Sequence, residues 1–225
     1  MRKKSAFTLI ELLVVVAIIA VLISILVPSL KAAKEQAYVV LCLSQERQMG
    51  IASAMYGNEH NGRFVSNLPS APWDVQLAPY LGLRTSAPTD LLRCPKDYRK
   101  GTDQWQWSRS YSLSRQHSLK PDEWGIAYFG GDPNSGYKPN IRLADVKHPA
   151  KTLFVIEVGY GNEFGGGGNR QWSYNWGVVD GWLAEINIPF SPDHGEKMNF
   201  LLADFHVETF PPQRAYQEML WSRVD

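Results

Sequence analysis

The sequence predicts an α+β protein: one long N-terminal helix followed by a head built on an antiparallel sheet. Three observations carry this. An apolar run fills residues 12–23 without a polar side chain. Apolar residues then recur at three- and four-residue steps as far as Ile51. From Arg63 onward short β-rich runs alternate with Pro, Gly, Asn and Asp, which is the texture of strands and turns.

The helix begins after Met1-Arg2-Lys3-Lys4-Ser5-Ala6, a cluster with three positive charges and no negative one. Residues 7–27 would make roughly 31 Å of helix at about 1.5 Å per residue. A bilayer core is about 30 Å thick, so the segment can span it. The basic cluster would stay cytoplasmic and the rest of the chain would lie outside. Ser24 and Pro28 interrupt the run, and Pro28 lacks the N–H that helix continuation uses, so a kink or loosening is expected there. Residues 28–57 read as an amphipathic continuation. Leu30, Ala33, Ala37, Leu41, Ser44, Gln48 and Ile51 fall at three- and four-residue steps, and Ala37-Tyr38-Val39-Val40-Leu41 with Met49-Gly50-Ile51-Ala52 give the apolar stripe, with Lys31, Lys34, Glu35, Glu46 and Arg47 placed elsewhere. The end is expected near Tyr56-Gly57, followed by an Asn61-Gly62 turn. The expected domains are a leader at 1–6, the helix at 7–57 and the head at 58–225.

In the head, Val75–Leu77 and Tyr80–Leu81 suit a short helix or turn. Residues 152–158 read as a buried strand, 198–202 and 206–210 as two strands around Ala203-Asp204-Phe205, and 213–221 as a short helix.

Composition narrows the function. The chain has 225 residues, 44% hydrophobic, with 23 basic and 22 acidic side chains. That balance excludes a general nucleic-acid binder. A mean hydropathy of −0.25 excludes a polytopic membrane protein but not one anchor. Glu11 sits inside the apolar stretch, where a carboxylate is costly and marks function. The run ends Val27-Pro28-Ser29-Leu30-Lys31, a poor site for a signal peptidase.

Lys4-Ser5-Ala6, then Phe7-Thr8-Leu9-Ile10-Glu11-Leu12 and the apolar run, resemble the class III signal of type IV prepilins and type II secretion pseudopilins. The resemblance implies cleavage by a prepilin peptidase between Ala6 and Phe7 and N-methylation of Phe7. It implies that Glu11 pairs with the amine of a neighbouring subunit, which gives a buried carboxylate a counter-charge. Ala6 departs from the family's usual glycine. Other pilin-like subunits and an inner-membrane assembly platform are the implied partners, with the chain a single-pass inner-membrane precursor and its head extracytoplasmic. Removal of Met1–Ala6 would take away three basic side chains.

A second resemblance, to pseudopilin-G-like proteins with an H-X9-DG element, runs through the head. It rests on Cys42-Leu43-Ser44-Gln45-Glu46-Arg47-Gln48, Arg93-Cys94-Pro95-Lys96-Asp97, Ser110-Tyr111-Ser112, and His148-Pro149-Ala150-Lys151-Thr152 through Glu157. His194 and Asp204 keep the spacing, but Phe205 replaces the glycine. An Asp-Gly pair would favour a two-residue hairpin turn with both residues at positive φ. Asp-Phe cannot do so cheaply, so a different turn or a longer loop is expected.

Cys42 and Cys94 are a disulfide candidate outside the cytoplasm, against two free structural thiols. They are too few and too far apart for a zinc site. His194, Asp204 and His206 are of types that would suit Zn²⁺ or Ca²⁺, but a turn cap formed by Asp204 with His194 bonding across it is the favoured reading, and no cofactor is expected. No P-loop, dinucleotide fingerprint or Gly-x-Ser-x-Gly elbow occurs, so a triad of Ser191, His194 and Asp204 lacks support and no enzyme is expected. The eight tryptophans all follow residue 72. They leave open a second reading, an anchored binding module with a Trp-rich glycan- or protein-binding head.

Overall fold

The computed structural model describes residues 8–66, 73–83, 90–95, 110–114, 126, 141–157 and 197–218. Helix α1 is a single helix, Leu9–Glu59. The chain divides into two compact units, Met1–Tyr38 and Val39–Asp225.

In the first unit every described residue from Thr8 to Lys34 is exposed. By length and composition α1 is a helix long and apolar enough to cross a membrane. The helix continues through Pro28. The Ser29 hydroxyl donates to the Ile25 carbonyl at 3.1 Å, and the Ser24 hydroxyl donates to that of Val21 at 2.7 Å. These side chains supply local bonds beside the position where the proline has none to give.

The second unit is built on a four-stranded antiparallel sheet in the order β1-β2-β3-β4. The strands are β1, Tyr111–Leu113; β2, Leu153–Glu157; β3, Met198–Leu202; and β4, Val207–Phe210. Tyr111 pairs with Glu157, Ile156 with Phe200, and Leu201 with Val207. All residues of β2 and β3 are buried, as expected for central strands with both faces covered. The expected strand at 206–210 begins one residue later, because His206 closes the turn. Short helices α2, Trp73–Leu77, and α3, Pro212–Gln217, complete the unit with 3-10 turns at Ala78–Leu81, Asp90–Leu92, Leu143–Asp145 and Pro149–Lys151.

α1 outlasts the expected end by two residues. The chain then turns through Asn61 at φ 57° and Gly62 at φ 77°, and Gly62 N–H donates to the Gly57 carbonyl at 2.7 Å. This is a left-handed helix stop, carried by the two residue types that tolerate it best.

The expected stripe on the second half of α1 is corrected in part: Met49, Gly50 and Ala52 lie on the buried face as expected. Leu41 and Ile51 are half-exposed, and the buried face is Cys42, Glu46, Met49, Gly50, Ala52 and Ser53. The reason lies at Gly50. A Cβ there would meet both Leu201 Cδ1 and the Phe205 carbonyl oxygen at 3.0 Å. Only a glycine lets the helix settle this close to the β3–β4 hairpin. Once that face turns inward, Glu46 must follow, one turn earlier.

The hairpin turn is a three-residue one. Phe205 N–H donates to the Leu202 carbonyl, and Leu202 N–H donates to that of His206, both at 2.9 Å. Phe205 sits at φ 69°, the position a glycine usually takes in such a turn. Its ring repays part of the strain by packing 5.7 Å from Phe64 and 6.0 Å from Phe154. The turn is also tied to the segment before β2, where Ala203 N–H donates to the Thr152 carbonyl at 2.8 Å.

Phe205→Ala should destabilise the head by about 1–3 kcal/mol, since it loses the ring packing and keeps the positive φ. Phe205→Gly should recover about 1 kcal/mol of that loss by relieving the backbone. Thermal unfolding of the two variants in detergent checks the order, and an alanine variant at least as stable as the glycine one would contradict it.

Candidate functional site

Two groupings of chemically distinctive residues emerge, one in each unit. In the first, Thr8 precedes the helix and Glu11 lies three residues on. The Thr8 N–H and hydroxyl both donate to Glu11 Oε2 at 2.8 Å, and Glu11 N–H donates to the Thr8 hydroxyl at 3.3 Å. This is a reciprocal capping box. Thr8-Leu9-Ile10-Glu11 carries the pattern of that motif in full, so its signal lies in the sequence. Ala6 and Phe7 lie outside the described residues.

The second grouping is the interior between α1 and the sheet. Cys42 and Glu46 are four apart and share the buried helix face. Cys94 follows the 3-10 turn Asp90–Leu92, which Ser110 N–H holds beside β1 by donating to the Leu92 carbonyl at 2.9 Å. Tyr111 opens β1 and pairs with Glu157 at the end of β2. Its hydroxyl donates to Gln45 Oε1 on α1 at 2.7 Å. Thus α1, the Cys94 segment, β1 and β2 converge on one point.

There the Sγ atoms of Cys42 and Cys94 lie 2.8 Å apart, across a sequence separation of 52. Both side chains are fully buried thiols. The structure therefore brings the expected partners together, and distance along the chain, which argued against a shared ligand role, does not carry over into space. Ligand atoms of Cys42, Cys94 and Glu157 all lie within 4.8 Å of one another. Glu46 is fully buried beside them. Among the described residues neither oxygen of its carboxylate has a hydrogen-bond partner.

Burial pushes the Glu46 carboxyl well above its ordinary 4.5, and the nearby Glu157 and Cys94 add to the shift. Burial, then Glu157 and Glu46, raise the Tyr111 hydroxyl in the same way. The expected placement of Glu46 among the solvent-facing charges is thus overturned. The signal that locates it is its four-residue offset from Cys42 and from Gly50 on the same face.

The turn histidine has ordinary company. Asp204 Oδ1 accepts the His206 N–H at 3.2 Å and lies 2.5 Å from His206 Nδ1. Asp204 therefore caps the turn. His206 Nε2 is 3.9 Å from Glu208, which also takes a bond from Arg214. His194, Ser191 and the glycines at 165–168 lie outside the described residues. So do all tryptophans except Trp73, which is buried in the core.

A carboxyl that folding holds protonated gives stability that is complete below its unfolded pKa and is lost as pH rises through the folded one. With a chelator present, the chain should lose stability as pH climbs above 4.5. Glu46→Leu should remove that slope and raise stability at pH 7 by about 1–3 kcal/mol, the cost of a buried polar group without a partner. Thermal melts of both chains across pH check this, and an unchanged slope in the variant would contradict it.

Residues 1–27 match the family model described as the prokaryotic N-terminal methylation motif. No curated protein and no solved structure matches the chain. The match covers the leader, the Thr8–Glu11 capping box and the apolar run, and it supports a type IV pilin-like class III signal on a membrane-anchored precursor.

Proposed function

We propose that the chain is a structural subunit, cut by a prepilin peptidase between Ala6 and Phe7, methylated on Phe7, and assembled into a type II secretion pseudopilus or type IV pilus-like filament. One observation carries the reading. The methylation motif coincides with a helix whose apolar part, Thr8 to Lys34, is exposed along its length in the single chain. Such a surface needs lipid before assembly and other helices after it.

In the assembled state Glu11 pairs with the Phe7 amine of a neighbouring subunit, and the partners are other pilin-like subunits and an inner-membrane assembly platform. The head lies outside the cytoplasm. The choice of a pseudopilus rests on the head motifs around Cys42, Cys94, Ser110-Tyr111, Thr152–Glu157 and Asp204. The anchored binding module gains nothing from Trp73, which is buried.

Mass spectrometry of the N-terminal peptide from native membranes tests processing. A peptide beginning at N-methyl-Phe7 is expected, and an intact Met1 would sink the reading. Glu11→Gln tests the charge separately from the cap, because glutamine also completes a capping box. It should leave the membrane level of the protein unchanged. Each subunit contact loses a charge-assisted bond of about 1.5–3 kcal/mol, so sheared filaments should fall by about tenfold or more. Wild-type filament yield from this variant would refute the pairing.

A further inference from the structure

We propose that Cys42, Cys94 and Glu157, with Glu46 completing the set, form a buried site for a soft divalent metal ion of the zinc type. Three donors converge from three parts of the chain, Cys42 from α1, Cys94 from its own segment and Glu157 from the end of β2, and Glu46 lies buried one turn along α1 from Cys42. The ligand atoms of the first three already lie within 4.8 Å of one another. Two thiolates select zinc over the hard cations calcium and magnesium. Four protein donors make a closed structural site rather than an open catalytic one.

Glu46 is the observation that separates this from a disulfide. A Cys42–Cys94 bond would be neutral. It would offer neither charge nor hydrogen to a fully buried carboxyl whose two oxygens have no partner among the described residues. A dication would satisfy Glu46 and Glu157 together. Two thiolates and two carboxylates around it leave the same formal charge as a four-cysteine zinc site.

The movement required of the two sulfurs is small. The sulfurs stand 2.8 Å apart. With Zn–S bonds of about 2.3 Å in a tetrahedron they would open to roughly 3.8 Å, which side-chain rotation supplies. Binding transfers the two thiol protons, and that of Glu46, to solvent, and no electron moves. Function follows from position: the ion would join α1 to the head at the point where β1 and β2 meet it. The exposed Asp204–His206 pair has no such convergence.

The test uses the full chain, solubilised from membranes without reductant. Elemental analysis should find one zinc per chain, and both cysteines should alkylate only after chelation. Replacement by Co²⁺ should give thiolate-to-metal charge-transfer absorption in the unmutated protein, a readout independent of whether variants fold. Cys42→Ser and Cys94→Ser should each lose the ion. Glu46→Gln should weaken zinc retention against a competing chelator by at least about tenfold. Absence of zinc together with a Cys42–Cys94 disulfide in the unreduced digest would overturn the proposal, as would zinc retained by the double serine variant or by Glu46→Gln at wild-type affinity. None of these outcomes bears on processing at Phe7, so this site and the filament reading stand or fall separately.

Discussion

The close approach of α1 to the β3–β4 hairpin at Gly50 organises the second unit. The missing side chain is what allows Leu201 and the Phe205 carbonyl to lie against the helix. An α-helix has one rotational setting about its axis once a single residue is fixed, so this contact decides the burial of every position within two turns of it. Met49 and Ala52 enter the core with Phe64, Val65, Phe154 and Leu201. Cys42 and Glu46 enter with them, although a charged residue would not choose that side.

That setting also explains why the interior near Cys42 is chemically unlike the rest of the core. Around Met49 the contacts are apolar and aromatic, with Phe64 and Phe154 rings 5.0 Å apart. One to two turns earlier the same helix face meets a second carboxyl, a phenol and a second thiol. The polar groups were not distributed by helix amphipathicity. They were assembled by the meeting of four chain segments, each contributing one or two of them.

This division marks what the sequence could show. Short apolar β-rich runs and turn residues located β2, the β3–β4 hairpin and the Asn61-Gly62 stop, because these depend on residues adjacent in the chain. The inward face of α1 depended on partners far along the chain, Leu201 and Phe205, and only part of the expected stripe, Met49, Gly50 and Ala52, lies on it. Leu41 and Ile51 were the more apolar choice and lost to a stripe containing Glu46, because steric access at Gly50 outweighs the gain from a few half-buried aliphatic side chains. Phe205 shows the converse. Its chemistry ruled out the two-residue turn, but only the Phe64 and Phe154 rings reveal how a phenylalanine can hold a glycine's backbone angle.

At the other end of α1 a single carboxylate caps the helix and is the group proposed to pair with a neighbouring amine. The first turn of any helix presents unpaired N–H groups and a partial positive charge. Glu11 meets both within its own chain through the Thr8 box. On the proposed processing, cleavage leaves only Phe7 ahead of Thr8, and a cationic amine then stands next to the positive end of the helix dipole. That arrangement is unfavourable alone, and a carboxylate at the third helical position offsets it before any neighbour arrives. The same charge that a neighbouring amine would later seek thus makes the start of the isolated helix stable in an apolar setting. Thr8, which holds the Glu11 carboxylate by two hydrogen bonds, sets how strongly the cap competes with the proposed partner for it.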